Sequence, residues 1–284
     1  MKKSNRYLAK RLNQLNRIAF CGFSEKQIQR MLPVKMFYDK ECYINSTDDN
    51  CVYRAVINET ISPFNSISRI KFNPNPSYIS RANLKRQAIA YYTLGASHQD
   101  GIDVSIIEAC HDRLKTTNLR YFELTVSKWK IKKNIPIQIV CYDKIAQVSG
   151  TDLIKYFNEL RFGKKESMSR NKYRSWLLKM RFIANQFAKE KILCEKDYYI
   201  SAWYSYNILK KTEIKGIIYP SVQYFYKGFN IALHPDLFNI SNPSFELEEV
   251  FHYAVQFDNE DIRTYPKFKL INSTIKFIGD KIVW

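Results

Sequence analysis

Gly216-Ile217-Ile218-Tyr219-Pro220-Ser221 and Gly228-Phe229-Asn230-Ile231-Ala232-Leu233 contain two short apolar runs, Gly216 to Tyr219 and Phe229 to Leu233, around a turn. Runs of this length, bounded by glycine and proline, read as strands. Upstream, residues 198–211 and 170–190 have helical spacing, the second with Trp176, Leu177, Met180, Ile183, Ala184 and Phe187 on one face. Thr151 is placed to cap a further helix carrying Leu153, Ile154, Phe157 and Leu160. Residues 119–131 and 135–142 alternate apolar positions, as in Ile135, Ile137, Ile139 and Cys141, and read as two strands.

Farther toward the amino terminus, residues 88–92 read as a strand and Gly95 to Gly101 as a loop. Asp103 is the expected N-cap of a helix to about Leu114, with Glu108 in its middle. Ser62-Pro63, Asn73-Pro74 and Asn75-Pro76 predict an irregular loop, because proline fixes its own φ and pushes the preceding residue toward extended geometry. Leu8, Leu12, Leu15 and Ile18 share one face of an expected helix over residues 5–20, and Ser24 can cap a second over 24–31. No internal repeat or low-complexity tract is visible.

Composition narrows the function classes. The 284 residues are 45% hydrophobic and 15% aromatic, enough apolar surface to offset chain entropy in a folded domain. No apolar run approaches a membrane span, and the basic start is followed by Arg11, Asn13, Gln14 and Asn16, so a cytoplasmic protein with no membrane role is expected. Six cysteines at 21, 42, 51, 110, 141 and 194 show no CxxC spacing and are expected to be reduced thiols without metal. The four dispersed histidines are assigned no chemistry. A net charge of +18 attracts some anionic partner but does not choose between nucleotide, nucleic acid, acidic protein and membrane surface.

Three segments in order carry a resemblance: Val52-Tyr53-Arg54; then Ser80-Arg81-Ala82-Asn83 with Tyr91-Tyr92 and Ile106-Ile107-Glu108; then the Tyr219-Pro220-Ser221 and Gly228-to-Leu233 stretches quoted above. Together they resemble the RES-domain family. That resemblance implies an α+β fold similar to ADP-ribosyltransferases, with a split, mostly antiparallel β core, surrounding helices, an NAD-sized cleft and here an added N-terminal helical arm. It divides the chain into an arm at 1–50, a catalytic domain at 51–240 with a helical insertion at about 151–211, and an extension at 241–284 packing on the domain. Where the family often has Pro-Pro-Gly after its Arg-x-Asn, Leu84-Lys85-Arg86 stands here, and arginine takes positive φ less easily than glycine.

The implied activity is cleavage of the nicotinamide–ribose bond of NAD, with NAD as substrate and no metal. Glu108, Tyr91 and Ser221 are then the catalytic candidates, and Arg54, Arg81, Tyr53, Asn83 and Ser221 the NAD-binding ones. Such a reaction builds positive charge on ribose, which a carboxylate offsets. Guanidinium forks suit the diphosphate. Arg69 is a weaker phosphate candidate, and Asn230 is read as structural. Family members include toxins paired with an antitoxin, so an antitoxin or immunity protein is an expected partner. Two alternatives stay open: an ADP-ribosyltransferase acting on protein or RNA, and a basic nucleic-acid binder using some of its twenty tyrosines and eighteen phenylalanines for stacking. No nucleic-acid-binding motif accompanies the charge.

Overall fold

A computed structural model describes residues 5–32, 42–44, 50–95, 97–117, 119–140, 153–211, 213–239, 243–257 and 266–284. The expected cap Thr151 and the end of the 135–142 run lie outside the described residues. The amino-terminal part holds α1 (Asn5–Leu15), α2 (Glu25–Met31), β1 (Cys42–Ile44), β2 (Cys51–Ile57), α3 (Ile67–Lys71), β3 (Ala90–Leu94) and α4 (His98–Thr116). Next come β4 (Tyr121–Ile131), β5 (Ile135–Ile139), α5 (Leu153–Ser167), α6 (Arg170–Phe187) and α7 (Tyr199–Lys211). The chain closes with β6 (Gly216–Pro220), β7 (Phe229–Leu233), β8 (Phe245–Gln256), β9 (Lys267–Thr274) and the small pair β10 (Phe277–Ile278) and β11 (Lys281–Ile282).

The protein is a mixed α and β structure built on a large, mostly antiparallel sheet. Nine strands run in the order β1-β5-β6-β7-β3-β2-β4-β8-β9, and β5 with β6 is the one parallel pair among them. The carboxy-terminal stretch enters the sheet itself, since β8 pairs along β4 from Tyr121↔Gln256 to Ile131↔Phe245.

Why Gly216–Leu233 reads so clearly is visible in its burial: every residue of β6 and β7 is buried. Ile217, Tyr219 and Ala232 pack with helical residues Phe182, Phe187 and Tyr204, while Ile218, Phe229, Ile231 and Leu233 join Tyr92, Trp129 and Phe238. A strand covered on both faces carries an unbroken apolar run rather than an alternating one.

Local signals set several boundaries. Ser24 and Gln27 form a reciprocal capping box at α2, as the sequence predicts for Ser24. α1 stops at Leu15, short of the expected residue 20, so Ile18 lies beyond it, although Leu12 and Leu15 are buried. α4 begins at His98 rather than after Asp103, because Ser97 supplies an earlier cap: its hydroxyl accepts from the Asp100 amide at 3.1 Å. Asp103 is inside the helix and accepts from Gln99 Nε2 at 2.6 Å. Arg86 does take positive φ, at 60°, and its amide donates to the Pro76 carbonyl at 2.8 Å. The turn thus keeps a glycine-like conformation without glycine.

The expectation of reduced thiols throughout is corrected, since Cys21 and Cys194 form a disulfide. Their separation of 173 residues conceals the pairing in the sequence. It arises because the amino-terminal arm folds back, with the Phe20 amide donating to Asp197 Oδ1 at 3.0 Å. Cys51 and Cys110 are free. Among the described residues, no helix is long and apolar enough to cross a membrane.

Candidate active site

A cavity of about 250 Å³ opens where the sheet parts. β2 pairs with β4 along its length but with β3 at a single position, Tyr53↔Thr93. Beyond that point the two strands diverge, and α4 packs against β2, β3 and β4. Its first turn is seated very closely. A Cβ at Gly95 would come within 2.1 Å of the Gly101 amide nitrogen, and one at Gly101 within 2.2 Å of the Tyr53 ring. Absence of side chains at these two positions sets the depth of α4, and Glu108 follows Gly101 by about two turns on the same side.

Glu108 lines the cavity, and its Oε1 is held by two donors. Ser221 Oγ donates to it at 2.5 Å and Asn230 Nδ2 at 2.7 Å. No donor among the described residues meets Oε2. The carboxylate is therefore oriented through one oxygen. Ser221 itself is fully buried, and its oxygen also accepts from the Tyr224 amide at 3.1 Å. It does not line the cavity and stands behind Glu108 as a positioning residue. Asn230, which sequence reasoning left as a structural residue, has the same role from β7, where it stands opposite Thr93 and Tyr219.

Arg54 and Arg81 both reach the cavity wall. Arg54 Nη1 donates to the Tyr91 carbonyl at 2.9 Å. Burial pulls its guanidinium below the ordinary value, partly countered by the nearby hydroxyls of Tyr92, Tyr78 and Tyr91. Arg81 Nη1 donates to the carbonyls of Phe187 and, at 3.1 Å, Lys189, and its guanidinium lies 5.1 Å from the centre of the Tyr198 ring. Phe187 ends α6, so Arg81 satisfies a terminal carbonyl at the negative end of that helix. Arg54 Nε and Arg81 Nη2 are buried with no hydrogen-bond partner among the described residues. Leaving donors on a charged group buried and unpaired is costly, and both arginines stand on the cavity wall.

The remaining candidates serve the walls. Tyr91 hydroxyl donates to Asn83 Oδ1 and accepts from the Ala82 amide, both at 2.9 Å, with Ser80 Oγ also in contact. Asn83 is buried and uses its amide on the carbonyls of Tyr78 and Leu84, each at 3.0 Å. Tyr91 and Asn83 therefore tie down the loop that presents Arg81, and both residues line the cavity. Tyr53 packs under Gly101 and its hydroxyl meets His98 Nδ1 at 2.9 Å. Arg69 is engaged elsewhere, paired with Glu59 and 5.2 Å from the Phe64 ring centre.

Burial pushes the hydroxyls of Tyr53, Tyr91 and Tyr219 well above the ordinary tyrosine value. Sequence reasoning missed Tyr219, Tyr78, Tyr198, Gln223 and the buried His111 as cavity residues. The one available signal was Asn230, a polar residue in an otherwise apolar run; the others carry no local mark. Neither a scan against protein-family models nor a search of curated proteins finds a match to this sequence.

Proposed function

We propose that this protein is an NAD-consuming enzyme that breaks the bond between nicotinamide and ribose, on an ADP-ribosyltransferase-like fold. The observation that carries the reading is Glu108, oriented through one oxygen inside a cavity that Arg54 and Arg81 also line. The parting of β2 from β3 supports the split core, and the ordered match of residues 52–54, 80–108 and 216–233 to the RES pattern supports the family.

In this reaction the C1′–N bond breaks and its electron pair leaves on the nicotinamide ring, discharging the pyridinium. Water or phosphate then bonds to C1′ and gives up a proton. Glu108 places negative charge beside the cationic ribose and accepts a hydrogen bond from a ribose hydroxyl. Arg54 and Arg81 hold the diphosphate, which keeps the ribose still as the ring departs. Ser221 and Asn230 fix the carboxylate. Tyr91 holds the Ser80–Asn83 loop and orients the ligand with its ring. The resemblance further supports a toxin or defence effector held in check by an antitoxin or immunity protein.

The decisive measurement is release of free nicotinamide when the purified protein is mixed with NAD, with the ribosyl product identified in water, in phosphate and with added protein or RNA. A free ADP-ribose or ADP-ribose phosphate product supports the reading. Label appearing on protein or RNA moves the transferase ahead. No release under any of these conditions overturns it.

A further inference from the structure

The cavity of about 250 Å³ is smaller than the roughly 300–1,000 Å³ usual for small-molecule sites, so a dinucleotide seated at Glu108 must extend past its mouth. At the mouth stands Tyr78, which lines the cavity yet is 57% exposed. Its backbone is pinned on both sides. The Asn75 amide donates to Asn73 Oδ1 at 3.0 Å, Asn83 Nδ2 donates to the Tyr78 carbonyl at 3.0 Å, and the Ile79 amide donates to Glu195 Oε2 at 3.1 Å. Ile79 is buried, so the turn has one residue presented outward and the next anchored inward. The Tyr78 hydroxyl has no hydrogen-bond partner among the described residues, and it lies near enough to Arg54 to favour that residue's charged form.

An exposed aromatic ring on a rigid turn, beside the arginine assigned to phosphate, has the attributes of a stacking platform. Little entropy is lost when a base lands on it, because the backbone is already held. We propose that Tyr78 stacks the ligand's second ring, the adenine of NAD, outside the cavity that receives the nicotinamide riboside end. This rests on the NAD reading above and adds a subsite to it.

The test is calorimetric, with two probes that divide the dinucleotide: ADP-ribose, which keeps adenine and both phosphates, and nicotinamide mononucleotide, which lacks the adenosine half. Loss of one stacked base weakens binding by about tenfold or more. Tyr78→Ala is expected to weaken ADP-ribose by about that factor and leave nicotinamide mononucleotide unchanged, while Tyr78→Phe, which keeps the ring, binds both normally. The side chain is largely exposed, so an unchanged melting temperature verifies the fold in each variant. Unchanged affinity for ADP-ribose in Tyr78→Ala, or an equal loss for both probes, overturns the adenine platform while leaving the NAD site standing. Failure of the wild-type protein to bind either probe overturns both readings.

Discussion

Arg54 Nη1 donates to the Tyr91 carbonyl at 2.9 Å, across the gap that opens where β2 and β3 stop pairing. A side chain thereby satisfies a carbonyl at the parting of the sheet, and the same residue lines the cavity while its Nε stays buried without a partner among the described residues. Arg54 is expected to report on stability and on ligand affinity together. Arg54→Ala should lower unfolding free energy by about 1.5–3 kcal/mol, the usual size of a charge-assisted bond, and weaken ADP-ribose. Arg54→Lys should recover part of one property and not both, since an ammonium lacks the fork. Denaturant titration and calorimetry on the two variants check this; a variant that loses affinity with stability intact would show that the Tyr91 contact carries no weight.

Glu108 and its two donors should behave as one unit. Glu108→Gln is expected to slow nicotinamide release by about a hundredfold, the scale of a lost electrostatic group. Ser221→Ala and Asn230→Ala should each lower kcat with KM nearly unchanged, and neither should slow the Glu108→Gln enzyme further. Additive losses in that double-mutant cycle would give Ser221 a role of its own, such as direct contact with substrate.

Gly101→Ala puts two effects in competition. In an open helix position the change stabilises by about 1 kcal/mol. Here the added carbon meets the Tyr53 ring at 2.2 Å, and overpacking of this kind costs about 1–3 kcal/mol. The expected sign is destabilisation, accompanied by weaker activity as α4 lifts and carries Glu108 outward. A more stable Gly101→Ala protein in urea titration would mean that Tyr53 yields readily.

Reduction of Cys21–Cys194 should lower the unfolding midpoint. The bridge closes a 173-residue separation, and in the chain-entropy account a loop this long is worth up to about 5 kcal/mol. Cys21→Ser should reproduce the effect of dithiothreitol and then be insensitive to it. Equal midpoints for oxidised and reduced protein would show that the arm is held by its apolar contacts and Asp197 alone.

Asp197 makes the same junction sensitive to acid. Burial pushes its carboxyl up, but the amides of Leu193 and Phe20 and the Lys189 ammonium pull it further down, leaving it below the ordinary 3.8. A depressed folded value means that the carboxylate stabilises the fold fully above about 3.8, and that this contribution fades as pH falls through the lower folded value. Asp197→Asn should therefore be less stable than wild type at neutral pH, with the difference shrinking below about pH 4. A difference that stays constant down to strong acid would place the effect in packing rather than charge.

What could be read in advance was local. Apolar spacing marked the strands at 119–131, 135–142, 216–219 and 229–233 and the helices at 170–190 and 198–211, close to the observed bounds, because a strand or helix face repeats every two or three to four residues. Ser24 announced its helix through a bond to Gln27, three residues on. The helix carrying Glu108 was legible too, although its start was misjudged, since Ser97 and Asp103 both look like caps from the sequence.

By itself the sequence marked many of the strands and helices between residues 5 and 233, though none of the strands at 245–282, and it named Arg54, Arg81 and Glu108, which the fold gathers around one cavity. Tertiary structure alone decided what surrounds them. It placed Arg81 on the end of a helix more than a hundred residues later, buried Ser221 with its hydroxyl on Glu108, and brought Cys21 to Cys194. Periodicity and capping act within a few residues and leave a mark there. Contacts between distant residues depend on how the chain closes its loops and packs its faces, and a buried hydroxyl or a helix-end carbonyl carries no sign in the sequence of the partner it will meet.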